Sequence, residues 1–424
     1  MGHSPAVPAR AWVVTGAGVV VNLCLGILYA WSVWKGNLIA PAGVAPGTPM
    51  TGVNEGWVYL DPAEATWAYA ICGFTFALCM VPGGRLQDRY GPRAGATLAG
   101  LCLGAGCVTA GLMKSYAGLV LGFGVLGGIG MGLGYAAATP AAVRWFGPHR
   151  RGLIVGLVVG GYGGAAVYIA PLAKELIRDH GLTGSFVALG VLFATVIVAA
   201  GQFLKMPPPG YAPPAAPPSA KPRPAVAADR TAPEMLGTWQ FFALVFLFVG
   251  SAQAGLLVIG NAAPMLNKTA SGIAFFAANA WLLASYGGLM NASGRVGTGT
   301  YSDAVGRTNA FALNGLAATA CLVALPTVMA SGNVWLLFVL VGVVYWQYGG
   351  TLSLMPALTA DYYGSKHLGL NYGLVFLGWG VAFFVTQLGG YIEKETGSIA
   401  GAFYLSAGLL AAAVVLSRFV RRPG

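Results

Sequence analysis

Charged residues are the scarcest feature of this sequence. Only 8% of its 424 residues are Asp, Glu, Lys or Arg, whereas such residues make up about a quarter of an ordinary soluble domain. Hydrophobic residues account for 57%. This composition excludes a soluble globular protein, and we expect a chain that crosses the membrane several times.

Residues that bind metals or carry out hydrolytic chemistry are also scarce. The sequence has four His and six Cys, and no two cysteines form a C-x-x-C pair. All the cysteines lie within apolar runs, so we interpret them as small packing residues. These runs contain no His/Glu cluster, activated Ser or pair of carboxylates. We therefore expect neither an enzyme, nor a metal site, nor a cofactor.

Twelve apolar segments are long enough to cross a bilayer, which takes about 20 residues. The first begins after Arg10 and has no small-residue cleavage site behind it, so we expect it to stay in the membrane. The predicted fold is an all-α membrane protein with twelve transmembrane helices. We place these helices at approximately residues 11–36, 63–86, 95–113, 116–143, 152–173, 181–204, 236–262, 272–301, 308–330, 333–358, 369–391 and 397–418.

Two pairs of similar segments indicate an internal repeat. The loop GRLQDRYGPR at 84–93 shares the spacing of its Gly, Asp and Gly residues with the stretch at 299–307, 215 residues later. RWFGPHRRGLIVG at 144–156 matches DYYGSKHLGLNYG at 361–373, at an offset of 217. Two repeats at nearly the same offset predict two homologous halves of six helices each.

The predicted halves are residues 1–205 and 236–424. Between them, residues 206–235 are rich in Pro and Ala, which predicts a cytoplasmic linker without a core of its own.

In the repeated loops, glycine lets helices approach closely, and Asp88 can face an arginine or a helix N-terminus. We expect a gating or structural motif formed by Gly84, Asp88, Arg89, Gly91, Arg93, Arg144, Gly299, Asp303 and Arg307.

The net charge of +11 follows the predicted topology. Sixteen Lys and Arg residues fall on the side that would hold the N-terminus, and six on the other. The positive-inside rule therefore predicts that both termini are cytoplasmic. We expect the protein to lie in the inner (plasma) membrane of the cell as a multi-pass protein. Because the basic residues are divided by membrane side instead of clustered on one face, we expect no nucleic-acid partner.

Three features of the apolar segments allow more than one interpretation. Tyr29, Trp31 and Trp34 near the end of the first span are either interface anchors or residues of a cavity. Lys35 is predicted to extend to the outer surface. The Gly-x-Gly-x-x-Gly sequence at 122–127 matches a dinucleotide fingerprint, but no strand precedes it, so we predict close helix packing there.

One charge interrupts an otherwise uncharged span. Arg295 lies eight residues before Asp303, or about 12 Å along a helix, close to the midplane of a hydrocarbon core about 30 Å thick. No Asp or Glu lies between Glu234 and Asp303. The substrate is therefore a candidate counterion, because a guanidinium matches a carboxylate in a bidentate manner. Asn291, one turn earlier, could add a hydrogen bond. The alternative is that Arg295 pairs with backbone carbonyls or with an acid of the other half.

The six-plus-six arrangement, the G-x-x-x-D-R-x-G-x-R loop, its degenerate copy and the central linker resemble the major facilitator superfamily over the whole chain. GILYAWSVW at 26–34, RWFGPHRRG at 144–152 and LNYG at 370–373 resemble its monocarboxylate transporter and oxalate/formate antiporter branch, which includes L-lactate transporters. This resemblance implies transport by alternation of the two halves.

The same resemblance suggests roles for single residues. Proton-linked members commonly have an Asp four residues before the arginine, where this chain has Asn291. Oxalate carriers have a lysine where this chain has Trp379. The tryptophan makes this cavity more apolar, which suits a substrate with one negative charge. Tyr135, Tyr345 and Tyr348 are further candidates for substrate binding through their hydroxyl groups. Leu28 and Phe376 are candidates for an apolar wall.

We therefore predict a secondary active transporter of small monocarboxylates such as L-lactate or pyruvate, coupled to protons and functional as a monomer. The expected partners are the carboxylate, a proton and the lipid bilayer. The nearest alternative is an anion exchanger of the oxalate/formate type. A membrane sensor that does not transport is a more distant alternative.

Overall fold

The computed structural model describes residues 7–41, 43–147, 150–213, 229–364 and 366–423. Almost all of them are helical, and extended pairing among these residues is limited to two isolated bridges, Ile39 with Leu60 and Pro49 with Val58. The fold class is confirmed as an all-helical membrane architecture. The long helices before the middle of the chain are α1 Ala9–Leu38, α2 Pro62–Tyr90, α3 Pro92–Met113 and α4 Tyr116–Val143.

Two further long helices meet at Gly181. The segments Arg151–Gly164 and Ala166–Gly201 follow one another through Ala165, and the second is broken at Gly181, which has φ 68° and ψ −176°. We name residues 151–180 α5 and residues 182–201 α6. The predicted loop between the fifth and sixth spans, from 173 to 181, is therefore too long. The charged stretch before Gly181 is helical, and one glycine with positive φ makes the turn.

The second half contains six long helices. Two short helices, Ala232–Leu236 and Ala274–Ala278, precede α7 and α8. The predicted start of the eighth span at 272 is therefore wrong, because α8 begins at Trp281, after the short helix Ala274–Ala278. The long helices are α7 Trp239–Thr269, α8 Trp281–Val305, α9 Arg307–Ser331, α10 Val334–Tyr363, α11 Leu368–Thr396 and α12 Ala400–Ser417.

Ten stretches of the described residues are long and apolar enough to cross a membrane. One of them, Leu153–Gly201, contains both α5 and α6, and α8 is not among the ten. Counting α5 and α6 separately and adding α8 brings the long helices to twelve, the number of predicted spans. The division into two halves and a linker stays a prediction, and residues 214–228 of that linker lie outside the described residues.

The repeated loops have a physical explanation in their second glycine. Gly91 ends α2 with φ 82°, and Gly306, which is 215 residues later, ends α8 with φ 89°. A side chain is strained at such angles, so glycine is favoured at both positions. The chain then re-enters a helix directly, with Pro92 as the first residue of α3.

Local irregularities shape two helices of the first half. In α1, residues Gly26–Ala30 form a tighter 3₁₀ turn, and in α4, residues Leu119–Gly127 form a wider π-helical turn. A Cβ atom on Gly122 would lie 2.5 Å from the backbone of Ala110. The packing interpretation of the Gly-x-Gly-x-x-Gly sequence is therefore confirmed.

Helices α2 and α11 meet closely on the predicted outer side. Asp61, which caps α2, forms a 2.9 Å ion pair with Lys394 of α11. Burial raises the pKa of the Asp61 carboxyl, but the Glu64 amide and the Lys394 ammonium outweigh this effect, and the pKa lies below its ordinary value. Gln387 of α11 also donates to the Ala63 carbonyl at 3.0 Å. Asp61 is therefore ionised at neutral pH, as its ion pair with Lys394 requires.

Candidate anion-binding site

Arg295 lies in α8 and is buried, with 3% of its surface exposed. Its Nε donates to Asn291 Oδ1 at 3.2 Å, within the same helix. Its Nη1 donates to the Val159 carbonyl of α5 at 3.0 Å, and its Nη2 donates to the Tyr29 hydroxyl of α1 at 3.4 Å. The guanidinium is therefore held by three neutral oxygens, two of which belong to α1 and α5.

Close backbone packing fixes the position of α8. A Cβ atom on Gly349 of α10 would lie 2.1 Å from the Asn291 carbonyl oxygen, and one on Gly294 would lie 2.3 Å from the Trp346 carbonyl oxygen. The Ser353 hydroxyl of α10 donates to the Arg295 carbonyl at 2.8 Å. Small residues let these two helices touch, so Asn291 and Arg295 are presented from a rigid pair of helices.

A cavity lined mainly by aromatic side chains adjoins the guanidinium. The Phe76 ring contacts the Trp379 ring edge to face with centroids 5.0 Å apart, and Phe376 stacks on Trp379 at 4.9 Å. Arg295 is the only charged residue among the described residues of the lining. The lining consists of Tyr29, Phe76, Tyr135, Tyr162, Arg295, Leu352, Phe376 and Trp379.

The cavity is nearly closed in this conformation. The space open to the centre of a water molecule is about 10 Å³, which corresponds to about one water. A carboxylate with several heavy atoms is larger than that. The aromatic walls must therefore separate for such a ligand to enter.

A chain of hydrogen bonds links Arg295 to the opposite wall. The Tyr29 hydroxyl lies 2.7 Å from the Tyr348 hydroxyl, which also accepts a hydrogen bond from Trp379 Nε1 at 2.8 Å. The residues in this chain come from α1, α8, α10 and α11. Both halves thus contribute hydroxyl groups that can rearrange around a bound oxygen anion.

Two buried polar groups close to these contacts have no partner among the described residues. Asn291 Nδ2 is one, although Asn291 Oδ1 accepts from Arg295, and the Tyr345 hydroxyl is the other. A buried donor without an acceptor is costly. Asn291 Nδ2 is therefore a donor without an acceptor on the side chain that bonds to the guanidinium.

Comparison with known proteins adds to this geometry. The family model of the Major Facilitator Superfamily matches residues 23–351. The chain belongs to this superfamily. The resemblance inferred from the sequence motifs is confirmed, and this multi-pass membrane protein is a member of a family of transporters.

Two relatives of this facilitator span most of its length, and a third matches a shorter region. An uncharacterized transporter of the superfamily, YhjX of Escherichia coli, is 26% identical over 370 residues, which cover 87% of this chain and 85% of that protein. The oxalate:formate antiporter of Oxalobacter formigenes is 25% identical over 374 residues, covering 81% and 86%. Monocarboxylate transporter 12 of Mus musculus is 28% identical over 130 residues, covering 31% and 26%.

The fold comparison agrees with the family assignment. The structure of the xylose transporter XylE from E. coli, in a partially occluded inward-open conformation, matches with a TM-score of 0.67. The match covers 97% of this chain and all of that one, at 13% identity. At this identity the similarity establishes the major facilitator fold alone.

The structure brings most of the predicted site residues of this facilitator together. Tyr135, Phe376 and Trp379 line the cavity with Arg295, and Asn291 and Tyr348 are one hydrogen bond away from lining residues. Two other candidates neither line the cavity nor bond to a lining residue through their side chains. Leu28 is fully buried in the 3₁₀ turn of α1, and the Tyr345 ring packs over Gly287 of α8.

Four lining residues of the facilitator are not among the predicted site residues: Tyr29, Phe76, Tyr162 and Leu352. Tyr29 had two interpretations, and its contact with Arg295 decides for the cavity. Trp31 and Trp34 are also buried, donating to the Ala65 carbonyl and to Ser185, so the interface-anchor interpretation is wrong for all three. The glycines on either side of Tyr162 could have indicated from the sequence that this residue faces another helix, since glycines allow a helix to approach closely.

The prediction for Lys35 is wrong. The side chain is 2% exposed, and its ammonium donates to Asn261 Oδ1 of α7 at 2.5 Å. Lys35 does not extend to the surface because α7 of the other half covers it and offers an amide oxygen. The facilitator therefore has a second buried cation, but Lys35 does not line the cavity at Arg295.

The predicted gating residues form ion pairs on the predicted cytoplasmic side. Asp88 lies 3.5 Å from Arg144, and an arginine is one of its two predicted partners. Arg307 forms an ion pair with Asp303 and lies 3.9 Å from Asp361. Arg89 lies over the Tyr90 ring at 5.2 Å.

The close helix approach predicted at Gly84 is wrong for this conformation. A Cβ atom on Gly84 would meet nothing within 4 Å, whereas one on Gly83 would lie 3.1 Å from the Ala136 methyl group. Gly83 points from α2 toward α4, and its neighbour points away. Gly299 is also loosely packed, since Ser353 lies 3.9 Å from the position of its Cβ.

Proposed function

We propose that this facilitator is a secondary active transporter of small monocarboxylates such as L-lactate and pyruvate. The single observation on which the proposal rests is Arg295, a cation in a cavity whose other described lining residues are uncharged. A guanidinium can bind a carboxylate through two parallel hydrogen bonds. The aromatic walls then surround the short apolar end of such a ligand.

The charge of the site supports a substrate with one negative charge. Lys35 is buried as well, but it bonds to Asn261 and lies outside the cavity lining. Trp379 presents a ring where a second cation would serve a dicarboxylate. One anion therefore neutralises the one cation of the cavity.

Proton coupling makes the cycle electroneutral, since a monocarboxylate and a proton together carry no net charge. None of the cavity-lining residues that the structure describes is acidic, so the proton does not travel on a carboxyl group of that wall. In this proposal the termini are in the cytoplasm, the carrier lies in the inner membrane, and one copy of the chain is sufficient.

The experiment that tests the proposal is uptake of a labelled carboxylate panel into proteoliposomes. The panel contains L-lactate, pyruvate, formate and oxalate, each with and without an inward proton gradient. We expect L-lactate and pyruvate to accumulate and the gradient to stimulate both. Absence of monocarboxylate uptake under both conditions would contradict the proposal.

A second candidate function is exchange of oxalate for formate. Its support is the relative of that activity, which is similar over 81% of this chain. Trans-stimulation without a pH gradient separates the two functions. An exchanger moves labelled substrate only when an anion is present on the opposite side, whereas a proton symporter does not require one.

Replacement of Asn291 by aspartate should make transport depend more steeply on pH. Asn291 Oδ1 lies 3.2 Å from Arg295 Nε, so an ionised carboxylate there would pair with the guanidinium and compete with the substrate. We expect the Asn291→Asp variant to take up L-lactate about tenfold more slowly at neutral pH. Uptake should recover on acidification, because protonation of the new carboxyl group frees Arg295. An Asn291→Ala variant should show only the pH dependence of the wild type, and equal pH profiles of the two variants would contradict the expectation.

A further inference from the structure

Each of the three guanidinium nitrogens of Arg295 donates to an oxygen of the protein. Arg295 belongs to the second half, whereas Val159 and Tyr29 belong to the first. A buried cation without hydrogen-bond acceptors would oppose closure of the halves around it. Here the Val159 carbonyl and the Tyr29 hydroxyl supply oxygens on the side of the cavity that faces the guanidinium.

Gly163 makes the contact with Val159 possible. A Cβ atom on Gly163 would lie 2.8 Å from Arg295 Nε and 3.3 Å from Cζ. These distances are shorter than ordinary van der Waals contacts, and the arginine side chain would have to move away. Glycine at this position of α5 thus lets the guanidinium lie against the helix and reach the carbonyl one turn earlier.

We propose that the Val159 carbonyl, which Arg295 can reach because residue 163 is glycine, takes the place of the substrate anion in the empty carrier. The empty carrier can then close and reorient, so that the protein catalyses net flux and not only exchange. This inference rests on the proposed transport function, and it assigns Gly163 as a positioning residue.

The reasoning follows from alternating access. A carrier that must exchange one anion for another returns only when loaded, so its empty closed state has to be unfavourable. In this structure protein oxygens accept a hydrogen bond from each of the three guanidinium nitrogens, so the halves can close around Arg295 without an anion. When an anion is bound, its oxygens can replace the carbonyl, and the contact at Gly163 is no longer needed.

The test compares Gly163→Ala with Gly160→Ala in proteoliposomes. Gly160 lies on the same helix, and a Cβ atom there would meet nothing within 4 Å. Two rates are measured for L-lactate: net efflux into medium without substrate, and counterflow with substrate on both sides. Counterflow reports a folded protein and a functional loaded carrier, whereas net efflux also requires the return of the empty carrier.

We expect wild type and Gly160→Ala to show both activities. Gly163→Ala should lose about tenfold in net efflux relative to counterflow, the effect of one hydrogen bond to a charged group. Tyr29→Phe, which removes the other acceptor in the first half, should shift the ratio in the same direction. An equal loss of both rates in Gly163→Ala, no change in either, or a wild type that only exchanges would overturn the inference. A wild type without any carboxylate flux would refute the proposed function, and this inference with it.

Discussion

Replacement of Arg295 by alanine should reduce L-lactate uptake by about a hundredfold while the protein still folds. A hydrogen-bonded pair between charged groups contributes up to about 3 kcal/mol, and each 1.4 kcal/mol corresponds to about a factor of ten. The variant also removes the only charge from the described cavity lining. The measurement is initial uptake into proteoliposomes at equal protein content.

Arg295→Lys is the matched control for this experiment. The ammonium keeps the charge but loses the planar fork, so it cannot bind both carboxylate oxygens in the same way. We expect an intermediate activity. We expect Arg295→Ala to fold, because the buried cation bonds only to neutral oxygens and its removal leaves no ion-pair partner unpaired. Elution as a single species in detergent verifies this. Normal uptake by the alanine variant would show that the anion binds elsewhere.

Replacement of Trp379 by lysine should change which anion the carrier accepts. Trp379 stacks on Phe376, contacts Phe76 and donates to Tyr348. A lysine there would place a second cation opposite Arg295, with no acid in the described lining to compensate it. A charge inside the membrane costs about 2.5–3.5 kcal/mol on insertion scales, so L-lactate uptake should fall by roughly a hundredfold. A dianion such as oxalate would neutralise both cations and should gain uptake.

Trp379→Phe distinguishes the added charge from the loss of the indole. It retains a smaller aromatic wall without added charge and removes the hydrogen bond to Tyr348, so we expect a loss of about tenfold or less, with unchanged selectivity. Competition of unlabelled L-lactate and oxalate against each label gives the selectivity of each variant. If Trp379→Lys still preferred L-lactate, the tryptophan would not determine the charge of the substrate.

The centre of the site could be predicted because charge is so rare in this chain. Arg295 is conspicuous as the one cation of an uncharged stretch, and helix geometry alone places Asn291 on the same face. The fold could also be predicted, since span length and repeated loops follow from bilayer thickness and from glycine conformation. Gly91 and Gly306 show this, because both have the positive φ that their repeated positions require.

The walls of the cavity could be predicted only in part. Aromatic residues such as Phe76 and Tyr162 are compatible with lipid, with a neighbouring helix or with a cavity, and composition does not reveal the rotation of a helix. Lys35 illustrates the same difficulty for a cation. Its partner, Asn261, is 226 residues away in the other half, and nothing in the sequence around Lys35 indicates that this amide covers it.

The most direct measurement of the central claim is equilibrium binding of L-lactate to the purified protein, followed by tryptophan fluorescence because Trp379 lines the cavity. We predict saturable binding by wild type and by Gly160→Ala, and an affinity about a hundredfold weaker for Arg295→Ala. Equal affinities of wild type and Arg295→Ala would contradict the assignment of this site.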